Sequence, residues 1–392
     1  MRVLIFQGYV DPEGRGGEEL LEAWPTLPGV AGGVARAGAD VDVVVAARRD
    51  ERLVVGGVSY RFVAERRLPS PRRLLGYRAA PHPARSLRAT VTARPDVVHL
   101  HGLSFPLQAR ALRRTHPSVP LLAQDHADAP PSGWRRPLHR WGYAGLDAVA
   151  FTAPEQAAPF VRAGVLREDL PVFGIIEGSS DFTPGPRERA RQARGVSGNP
   201  AVAWVGNLTP GKDPLGALEA FRLALPDLRD PALWMVFRGG SLEAEVRRRV
   251  QAEESLRHRV RLVGPLPHED MEGFLRAADV LLAPSRREGS GYAVIEALAC
   301  GTPVAASDVP PHRAILGAGG AGVMAPPGEP AALARALASV AADAERRRGV
   351  ARRRFEEALS FDAIGRELLR AYRALAERRS VVARARAAEA SA

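Results

Sequence analysis

The residues best suited to chemistry are two glutamates, Glu288 and Glu296, in the stretch "PSRREGSGYAVIEALACGTPVAASD" at 284–308. A strand is predicted to end at Pro284 and a helix to begin near Gly291, so Glu288 lies in a loop and Glu296 lies one to two turns inside the helix. Free N–H groups at a helix start suit a phosphate, and carboxylates beside them can accept hydrogen bonds from sugar hydroxyls. Taken alone, the pair favours a plainer interpretation: a surface glutamate and a first-turn glutamate that stabilises the helix dipole.

A single ammonium group is the second unusual feature. Lys212, in "AWVGNLTPGKDPLGALEAF" at 203–221, is the only lysine beside 54 arginines. Near-exclusive arginine with abundant Ala, Gly and Pro is typical of the codon bias of a GC-rich genome. The lysine is therefore either a chance survivor on a surface loop or a residue that its site requires.

Alternating short β-branched runs and Ala/Leu/Arg helical segments must position these residues, and this rhythm is typical of βαβ units with parallel sheets. The predicted strands are 2–6, 40–46, 96–101, 120–125, 148–153, 171–176, 201–206, 233–239, 260–264, 280–285, 303–307 and 322–326. Ligands of such sheets bind beyond the carboxyl ends of the strands. We therefore predict two doubly wound α/β domains that face each other across a cleft.

The Gly-, Pro- and Ser-rich stretch 179–200 separates the halves as a linker. It divides an N-terminal Rossmann-like domain at 1–178 from a C-terminal Rossmann-like domain at 201–354. A last helix at about 361–379 is predicted to pack back on the first domain, and the tail 380–392 is predicted to fray.

Composition narrows the class of protein. A chain of 392 residues exceeds what one core usually serves, and 46% hydrophobic with 25% charged residues is average for soluble globular proteins. No run approaches the roughly 18 apolar residues of a membrane span, and the N-terminus predicts a strand rather than a signal peptide. The single cysteine, Cys300, excludes an internal disulfide. We expect a soluble, cytoplasmic protein.

The net charge of +11 does not by itself indicate nucleic acid. Residues 1–180 carry 23 basic and 18 acidic side chains and residues 181–392 carry 32 and 26, so the excess is spread evenly. No aromatic–basic nucleic-acid module accompanies it. The arginine-rich segment 66–88 is interpreted as a solvated loop and helix, or else as a patch that contacts the inner membrane surface or an acidic acceptor.

The motif "EGSGYAVIEALACGTPVAASDV" resembles the signature of family 4 retaining glycosyltransferases, which have the GT-B fold. The hallmark is a Glu, seven residues and a second Glu, which Glu288 and Glu296 match. "VGNLTPGKDPLGALEAF", "VRLVGPLPHEDMEGFLRAADVLLAPS" and "GVMAPPGEPAALARAL" resemble the family's flanking segments. The resemblance covers essentially all of residues 200–375.

This resemblance implies a role for each matched residue. Glu296 would bind the ribose hydroxyls of a nucleotide sugar, and Glu288 would contact the donor sugar. Lys212 would neutralise the departing diphosphate, where negative charge develops in the transition state. The backbone of the loop and helix start would meet the diphosphate and sugar: Gly289, Ser290, Gly291, Tyr292 and Ala293.

Two residues depart from the family pattern at this site. Asn207 stands where the family usually has an arginine, which removes one cation from the leaving-group site. Arg238, in "VFRGG", replaces a usual glycine and is our candidate for partial compensation.

The first half resembles the family less closely. Gly17, in "PEGRGGEELLEAW", fits the family's N-terminal glycine loop, and His126 is the candidate for the histidine that touches the donor sugar. His99 and His101 are interpreted as strand-end packing residues, with a zinc site formed with His126 as the alternative. Glu177 replaces the asparagine of the family's usual linker motif.

The implied reaction is transfer of a sugar from a nucleoside-diphosphate sugar with retention of configuration, with no metal and no cofactor besides the co-substrate. The acceptor, a glycan, a lipid carrier or a small metabolite, is left open. The match "DVD" at Asp40–Asp42 begins a predicted strand and is not interpreted as a metal site. The alternative function is a catalytically weakened GT-B protein that binds a nucleotide sugar or glycan without efficient transfer.

Overall fold

The computed structural model describes residues 1–11, 13–65, 83–126 and 129–390, with side chains as far as residue 381. The chain divides into two compact units, Met1–Gly178 with Phe361–Ala392, and Ser179–Ser360. Most of the arginine-rich segment 66–88, for which membrane contact is a prediction, lies outside the described residues. Among the helices that are described, none is long and apolar enough to cross a bilayer.

Two sheets form the centres of the units. Their strands are β1 (Arg2–Gln7), β2 (Asp40–Ala47), β3 (Glu51–Val55), β4 (Val58–Ala64), β5 (Val97–His101), β6 (Leu121–Gln124), β7 (Ala148–Phe151), β8 (Val172–Gly174), β9 (Ala201–Val205), β10 (Ala232–Val236), β11 (Val260–Gly264), β12 (Val280–Ala283), β13 (Val304–Ser307) and β14 (Gly322–Ala325). Within the described residues, the first sheet has the order β3-β4-β2-β1-β5-β6-β7-β8 and the second β11-β10-β9-β12-β13-β14. All named pairs are parallel except β3–β4. The strands are mostly buried Val, Leu, Ile and Ala, as expected when helices cover both faces.

The antiparallel hairpin β3–β4 was not predicted from the sequence. Its two strands are joined by Gly56 and Gly57, which have φ of 58° and 79°. Two successive residues with positive φ are what the tight turns of hairpins require, and Gly-Gly is a recognised signal for them. The signal is present in "VVGGVSY", and it adds an edge hairpin beside β2.

Helices connect the strands. They are α1 (Gly17–Ala23), α2 (Thr26–Arg36), α3 (Ala84–Ala89), α4 (Pro106–Thr115), α5 (Arg135–Tyr143), α6 (Ala158–Arg162), α7 (Arg187–Arg194), α8 (Pro214–Ala224), α9 (Glu243–Ala252), α10 (Glu254–Arg257), α11 (His268–Ala277), α12 (Tyr292–Ala299), α13 (Pro310–Leu316), α14 (Pro330–Ala342), α15 (Ala344–Arg354) and α16 (Phe361–Ala390), with short 3₁₀ or π turns at Pro154–Ala157, Leu225–Asp227 and Phe355–Leu359. Four begin with proline, whose fixed φ and missing N–H suit the first helical turn.

The last helix, α16, belongs to the first unit and packs closely on α2. A β-carbon at Gly33 would lie 2.1 Å from the Phe361 carbonyl oxygen, and one at Gly365 would lie 2.1 Å from the Gly33 carbonyl carbon. The helix continues beyond the predicted bound of about 379, as far as Ala390, and fraying of the tail 380–392 stays a prediction. The alanines and arginines that dominate this stretch are strong helix formers, and their propensity explains the extension.

The predicted linker 179–200 is part of the second unit. It contains α7, whose Arg187 and Arg191 both donate to the Asp279 carboxylate, at 3.1 and 2.5 Å. Asn199 pairs with Asp230 as an antiparallel bridge. These contacts join the segment to the C-terminal sheet, so it does not act as a free connection.

Candidate active site

Two neighbouring strands of the second sheet position the candidate site. β9 and β12 pair in parallel, and their carboxyl ends lead into the turn that contains Lys212 and the loop that contains Glu288. Direct bonds also join the two loops. The Arg286 backbone N–H donates to the Gly211 carbonyl at 2.9 Å, and the Arg286 side chain donates to the Asp213 carboxylate at 2.8 Å. Residues far apart in sequence are thereby held at one edge of the sheet, where α/β proteins bind ligands.

The Glu288 carboxylate is the centre of the hydrogen-bond network in these loops. It accepts from Lys212 Nζ at 2.6 Å, from Ser285 Oγ at 3.0 Å, and from the backbone N–H groups of Gly289 and Gly291 at 3.2 and 3.3 Å. Burial by itself would raise the pKa of Glu288, but the Lys212 ammonium and the hydrogen bonds hold it below its usual value. Glu288 is therefore a carboxylate at neutral pH, with Lys212 as its counter-ion.

A small cavity adjoins this ion pair. About 10 Å³ of it is open to the centre of a water molecule, roughly what a single water needs. Its lining residues are Trp204, Val205, Lys212, Ala283, Pro284, Ser285, Glu288, Gly291, Ala293, Val294 and His312. The structure thus brings together Lys212, Glu288, Gly291 and Ala293, four of the residues predicted for the donor site.

His312 lines the same cavity and was not identified from the sequence. The imidazole is fully buried, its Nδ1 lies 2.9 Å from the Ser307 carbonyl oxygen, and its Nε2 lies 3.9 Å from Glu288 Oε2. Ser307 ends β13, the strand beside β12. The sequence signal for His312 was its position as a polar residue shortly after the end of β13, next to the end of β12.

Glu296 lies within α12, and the cavity lining does not include it. Its side chain is 13% exposed, and the nearest titratable partner given by the structure is His268 at the start of α11, with His268 Nδ1 3.8 Å from Glu296 Oε1. Burial raises the pKa of Glu296 to about 7. This carboxyl can therefore change its charge near neutral pH.

The start of α12 has a backbone conformation that favours glycine, as was predicted for the loop that would contact the donor. Gly291 precedes the helix with φ of 73°, a conformation that favours glycine, and Tyr292 is the first helical residue. Gly289, Ser290, Tyr292 and Ala293 are partly exposed. Their roles toward a diphosphate stay predictions.

The two residues that depart from the family pattern are both exposed. Asn207 lies two residues beyond β9, and Arg238 lies two residues beyond β10, which is hydrogen-bonded to β9. Both therefore follow strand ends at the same edge of the sheet as Lys212. Compensation of Asn207 by Arg238 stays a prediction.

The predicted histidines lie at strand ends of the first sheet. His126 Nδ1 is 3.1 Å from Glu177 Oε2, and the His126 ring stacks on His101, which in turn contacts His99. His99 Nδ1 lies 2.6 Å from the Tyr372 hydroxyl of α16. Burial lowers the pKa of His99 to about 3, so this ring is neutral. Over the described ranges, no group of three or more His, Cys, Asp or Glu side chains is arranged to hold a metal ion.

Gly17 has an internal contact in the structure. It begins α1, and its backbone N–H donates to Glu51 Oε2 of β3 at 2.8 Å. This bond joins α1 to the edge hairpin. It is favourable because a carboxylate is stabilised at a helix N-terminus. The predicted role of Gly17 toward a donor phosphate is separate from that contact and stays a prediction.

Comparisons with known proteins agree with this architecture. The family model "Glycosyl transferases group 1" matches residues 186–356, and the model "Glycosyltransferase Family 4" matches residues 29–173. The chain belongs to glycosyltransferase family 4. The region matched by the first model lies in the second unit, and the region matched by the second model lies in the first unit. Lys212, Glu288 and Glu296 all lie in the region matched by the first model.

Curated members of the family match part of the chain. The D-inositol 3-phosphate glycosyltransferase of Nocardia farcinica is 31% identical over 68% of this chain and 63% of its own length. The 2-deoxystreptamine N-acetyl-D-glucosaminyltransferase of Streptomyces fradiae is 29% identical over 66% of this chain and 65% of its own length. The chain therefore spans less than two thirds of either relative.

Solved structures identify the fold. Sucrose-phosphate synthase of Thermosynechococcus elongatus superposes with a TM-score of 0.65 at 21% identity, over 96% of this chain and 99% of that one. HepE of Anabaena in complex with UDP superposes with a TM-score of 0.61 at 18% identity, over 95% and 98%. The fold is GT-B, as predicted.

Proposed function

We propose that this family 4 protein transfers a sugar from a nucleoside-diphosphate sugar to a hydroxyl acceptor, with retention of configuration and without a metal ion. The contact between Lys212 Nζ and Glu288 Oε2, at 2.6 Å, is the main observation in support. This contact joins the single lysine to the first glutamate of the family motif, at the carboxyl ends of β9 and β12.

The donor would lie over the carboxyl ends of β9 and β12. In this proposal, Glu288 accepts hydrogen bonds from the sugar and Glu296 accepts them from the ribose. The backbone at the start of α12 lies against the diphosphate, where N–H groups and the helix dipole favour negative charge. The complexes of HepE with UDP, and with UDP-glucose, support a uridine nucleotide as the first donor to test.

Lys212 would act on the leaving group. As the bond between sugar and diphosphate breaks, negative charge builds on the phosphate oxygens, and a fixed cation beside them lowers the barrier. An ammonium can follow a single phosphate oxygen, whereas a planar guanidinium requires a different geometry. In the structure Lys212 is held by Glu288, so donor binding would redistribute its hydrogen bonds.

The acceptor proposal is a small polyhydroxylated ring. The two relatives quoted above are named for inositol phosphate and 2-deoxystreptamine, both of which are cyclitols. His126, which lies 3.1 Å from Glu177 at the strand ends of the first sheet, keeps its proposed role as the histidine that touches the donor sugar.

The test is nucleotide-sugar binding and turnover. UDP-, GDP-, ADP- and TDP-glucose would be added separately, with thermal stability and slow nucleotide release as readouts. We expect at least one to stabilise the protein and to be hydrolysed slowly, with no loss in EDTA. The same assays on Lys212→Ala test the role of the lysine. Its matched control is Arg346→Ala, which removes an exposed cation of the same unit. If none of the four stabilises the protein and none is hydrolysed, the enzyme proposal fails.

A further inference from the structure

His312 has a defined tautomer because of its neighbour. Its Nδ1 lies 2.9 Å from the Ser307 carbonyl oxygen, and a carbonyl can only accept, so Nδ1 carries the proton. The ring is fully buried, and that burial lowers the pKa of His312. At neutral pH the ring is therefore uncharged, with a lone pair on Nε2.

That lone pair has no hydrogen-bond partner among the described residues. The Nε2 atom is buried, and the nearest charged oxygen, Glu288 Oε2, lies 3.9 Å away. The separation is too long for a direct hydrogen bond. His312 Nε2 therefore requires another donor, because a buried polar atom without a partner costs roughly 1–3 kcal/mol.

The cavity beside these atoms has the size and polarity for one oxygen. It opens about 10 Å³ to the centre of a water molecule, and His312, Glu288 and Lys212 all line it. A buried water usually makes two to four hydrogen bonds. Here the O–H would donate to Nε2, and the oxygen would accept from the Lys212 ammonium.

We propose that His312 is a binding residue for one hydroxyl-bearing oxygen held between its Nε2 and the Lys212–Glu288 pair. The oxygen is either a resident water that positions Glu288 or a hydroxyl of the donor sugar. Both sources share one chemistry, an O–H donor to a neutral imidazole. This inference deepens the proposed function, on which it rests, by adding a fourth side chain to the donor site, beside Lys212, Glu288 and Glu296.

Two substitutions separate the contacts of the ring. In His312→Asn the side-chain N–H can still donate to the Ser307 carbonyl, but nothing replaces Nε2. In His312→Gln an amide oxygen can stand where Nε2 stands now. Affinity for UDP-glucose, or for whichever donor of the panel binds, is measured by calorimetry. We expect His312→Asn to weaken binding roughly three- to tenfold and His312→Gln to stay within about twofold of the wild type.

Deoxy analogues of the donor sugar identify the source of the oxygen. If removal of one hydroxyl weakens binding to the wild type but not to His312→Asn, the oxygen belongs to the sugar. The other outcome is that each deoxy donor loses the same affinity for the wild type as for His312→Asn, while His312→Gln still binds the intact donor about as well as the wild type. In that case the oxygen is a resident water. Either result supports the proposal. Equal affinities of the Asn and Gln variants overturn it, provided that both unfold cooperatively near the wild-type temperature.

A second measurement does not need a donor. In protein labelled with ¹⁵N-histidine, we expect His312 at pH 7 to show a proton on Nδ1 and a hydrogen-bonded, unprotonated Nε2. A proton on Nε2 would overturn the inference by itself. If no nucleotide sugar binds the wild type, the proposed function fails, whereas this readout still tests the hydroxyl site.

Discussion

At the scale of single residues, the first prediction concerns the ion pair between Lys212 and the buried Glu288 carboxylate. Lys212→Ala leaves the Glu288 carboxylate, which is 8% exposed, without its cation. We expect the free energy of unfolding to fall by roughly 1–3 kcal/mol. Turnover should fall more than nucleotide affinity, because the additional negative charge on the departing diphosphate develops only as its bond to the sugar breaks.

The double variant tests this explanation. In a Glu288→Gln background no buried charge remains to be compensated, so Lys212→Ala is expected to cost less stability there than in the wild type. A double-mutant cycle by chemical denaturation measures that difference. Additive effects of the two substitutions would contradict the pair, and unchanged turnover in Lys212→Ala would remove the leaving-group role.

Glu296 gives a pH dependence with a definite sign. Its pKa in the folded protein, about 7, lies above the ordinary value of 4.5, so between pH 4.5 and 7 the folded state binds more protons than the unfolded state. The stability contributed by this group therefore decreases as pH rises through that window, by up to roughly 3 kcal/mol. Denaturation of the wild type and of Glu296→Gln across pH 4–8 measures this effect. We expect the stability of the wild type relative to Glu296→Gln to decrease as pH rises and to level off above pH 7.

The same titration has the opposite effect on binding. Hydroxyl groups donate to the charged carboxylate more strongly than to the protonated one, so affinity for UDP should increase from pH 6 to pH 8. The exposed imidazole of His268 lies beside Glu296, so His268→Gln, which removes that neighbour, is the control. An affinity that follows stability downward with rising pH would argue against a ribose contact.

Part of the site could be predicted from residue types and spacing. The sequence indicated Lys212 and Glu288 through their motifs, and the structure places them in contact. It did not indicate His312 or the donation from Ser285, because their contacts depend on which strands are neighbours. It also gave no reason to expect that Glu177, read as a departure from a motif, faces His126 at 3.1 Å.

At the scale of elements, the helix pair α2–α16 leads to the second type of prediction. Gly365→Ala would place a β-carbon 2.1 Å from backbone atoms of Gly33. Because neither helix backbone can yield as a side chain does, we expect a loss of at least roughly 1–3 kcal/mol. Gly349→Ala in α15 is the matched control, since its β-carbon meets only the end of the Arg353 side chain, and it should stabilise the protein by about 0.5–1 kcal/mol. Thermal unfolding of both variants measures this, and equal effects would contradict the close packing.

The elements themselves were largely predictable, and the exceptions have physical causes. All twelve predicted strand segments contain a strand, since fully buried parallel strands are continuous apolar runs. The hairpin of β3 and β4 was missed because its strands are not continuous apolar runs: β3 begins with Glu51 and Arg52, and β4 alternates polar and apolar residues. The segment with α7 was read as a linker from its composition, although its arginines pair with Asp279 across the sequence.

At the scale of the whole molecule, the arginine-rich composition has structural uses in the second unit. Arginines of α15 and its end donate to carbonyl groups at the C-terminal ends of three other helices. Arg348 donates to Ala278 O after α11, Arg352 to Ala299 O of α12, and Arg354 to Ile315 O of α13. Those carbonyls have no partner within their own helices, and cations there also favour the helix dipole. Lys212 differs from these three arginines because its partner is the Glu288 carboxylate and not a carbonyl group.

The two units differ in continuity, which leads to the last prediction. Ser179–Ser360 is one uninterrupted stretch that contains Lys212, Glu288, Glu296 and His312, whereas the first unit needs Phe361–Ala392 as well as Met1–Gly178. We expect the fragment 179–360 to unfold cooperatively and to bind UDP within about tenfold of the full chain, without sugar transfer.

Fragment 1–178 is the matched comparison. It lacks α16, so the glycines of α2 lose their packing partner and His99 loses the Tyr372 hydroxyl. We expect it to melt at a lower temperature or without a cooperative transition, and addition of a peptide spanning 361–390 to recover part of the loss. Circular dichroism and calorimetry on the two fragments measure both outcomes. If fragment 1–178 alone melts as the full chain does, α16 is dispensable for the first unit. If fragment 179–360 folds but does not bind UDP, the donor site requires residues beyond those of the second unit.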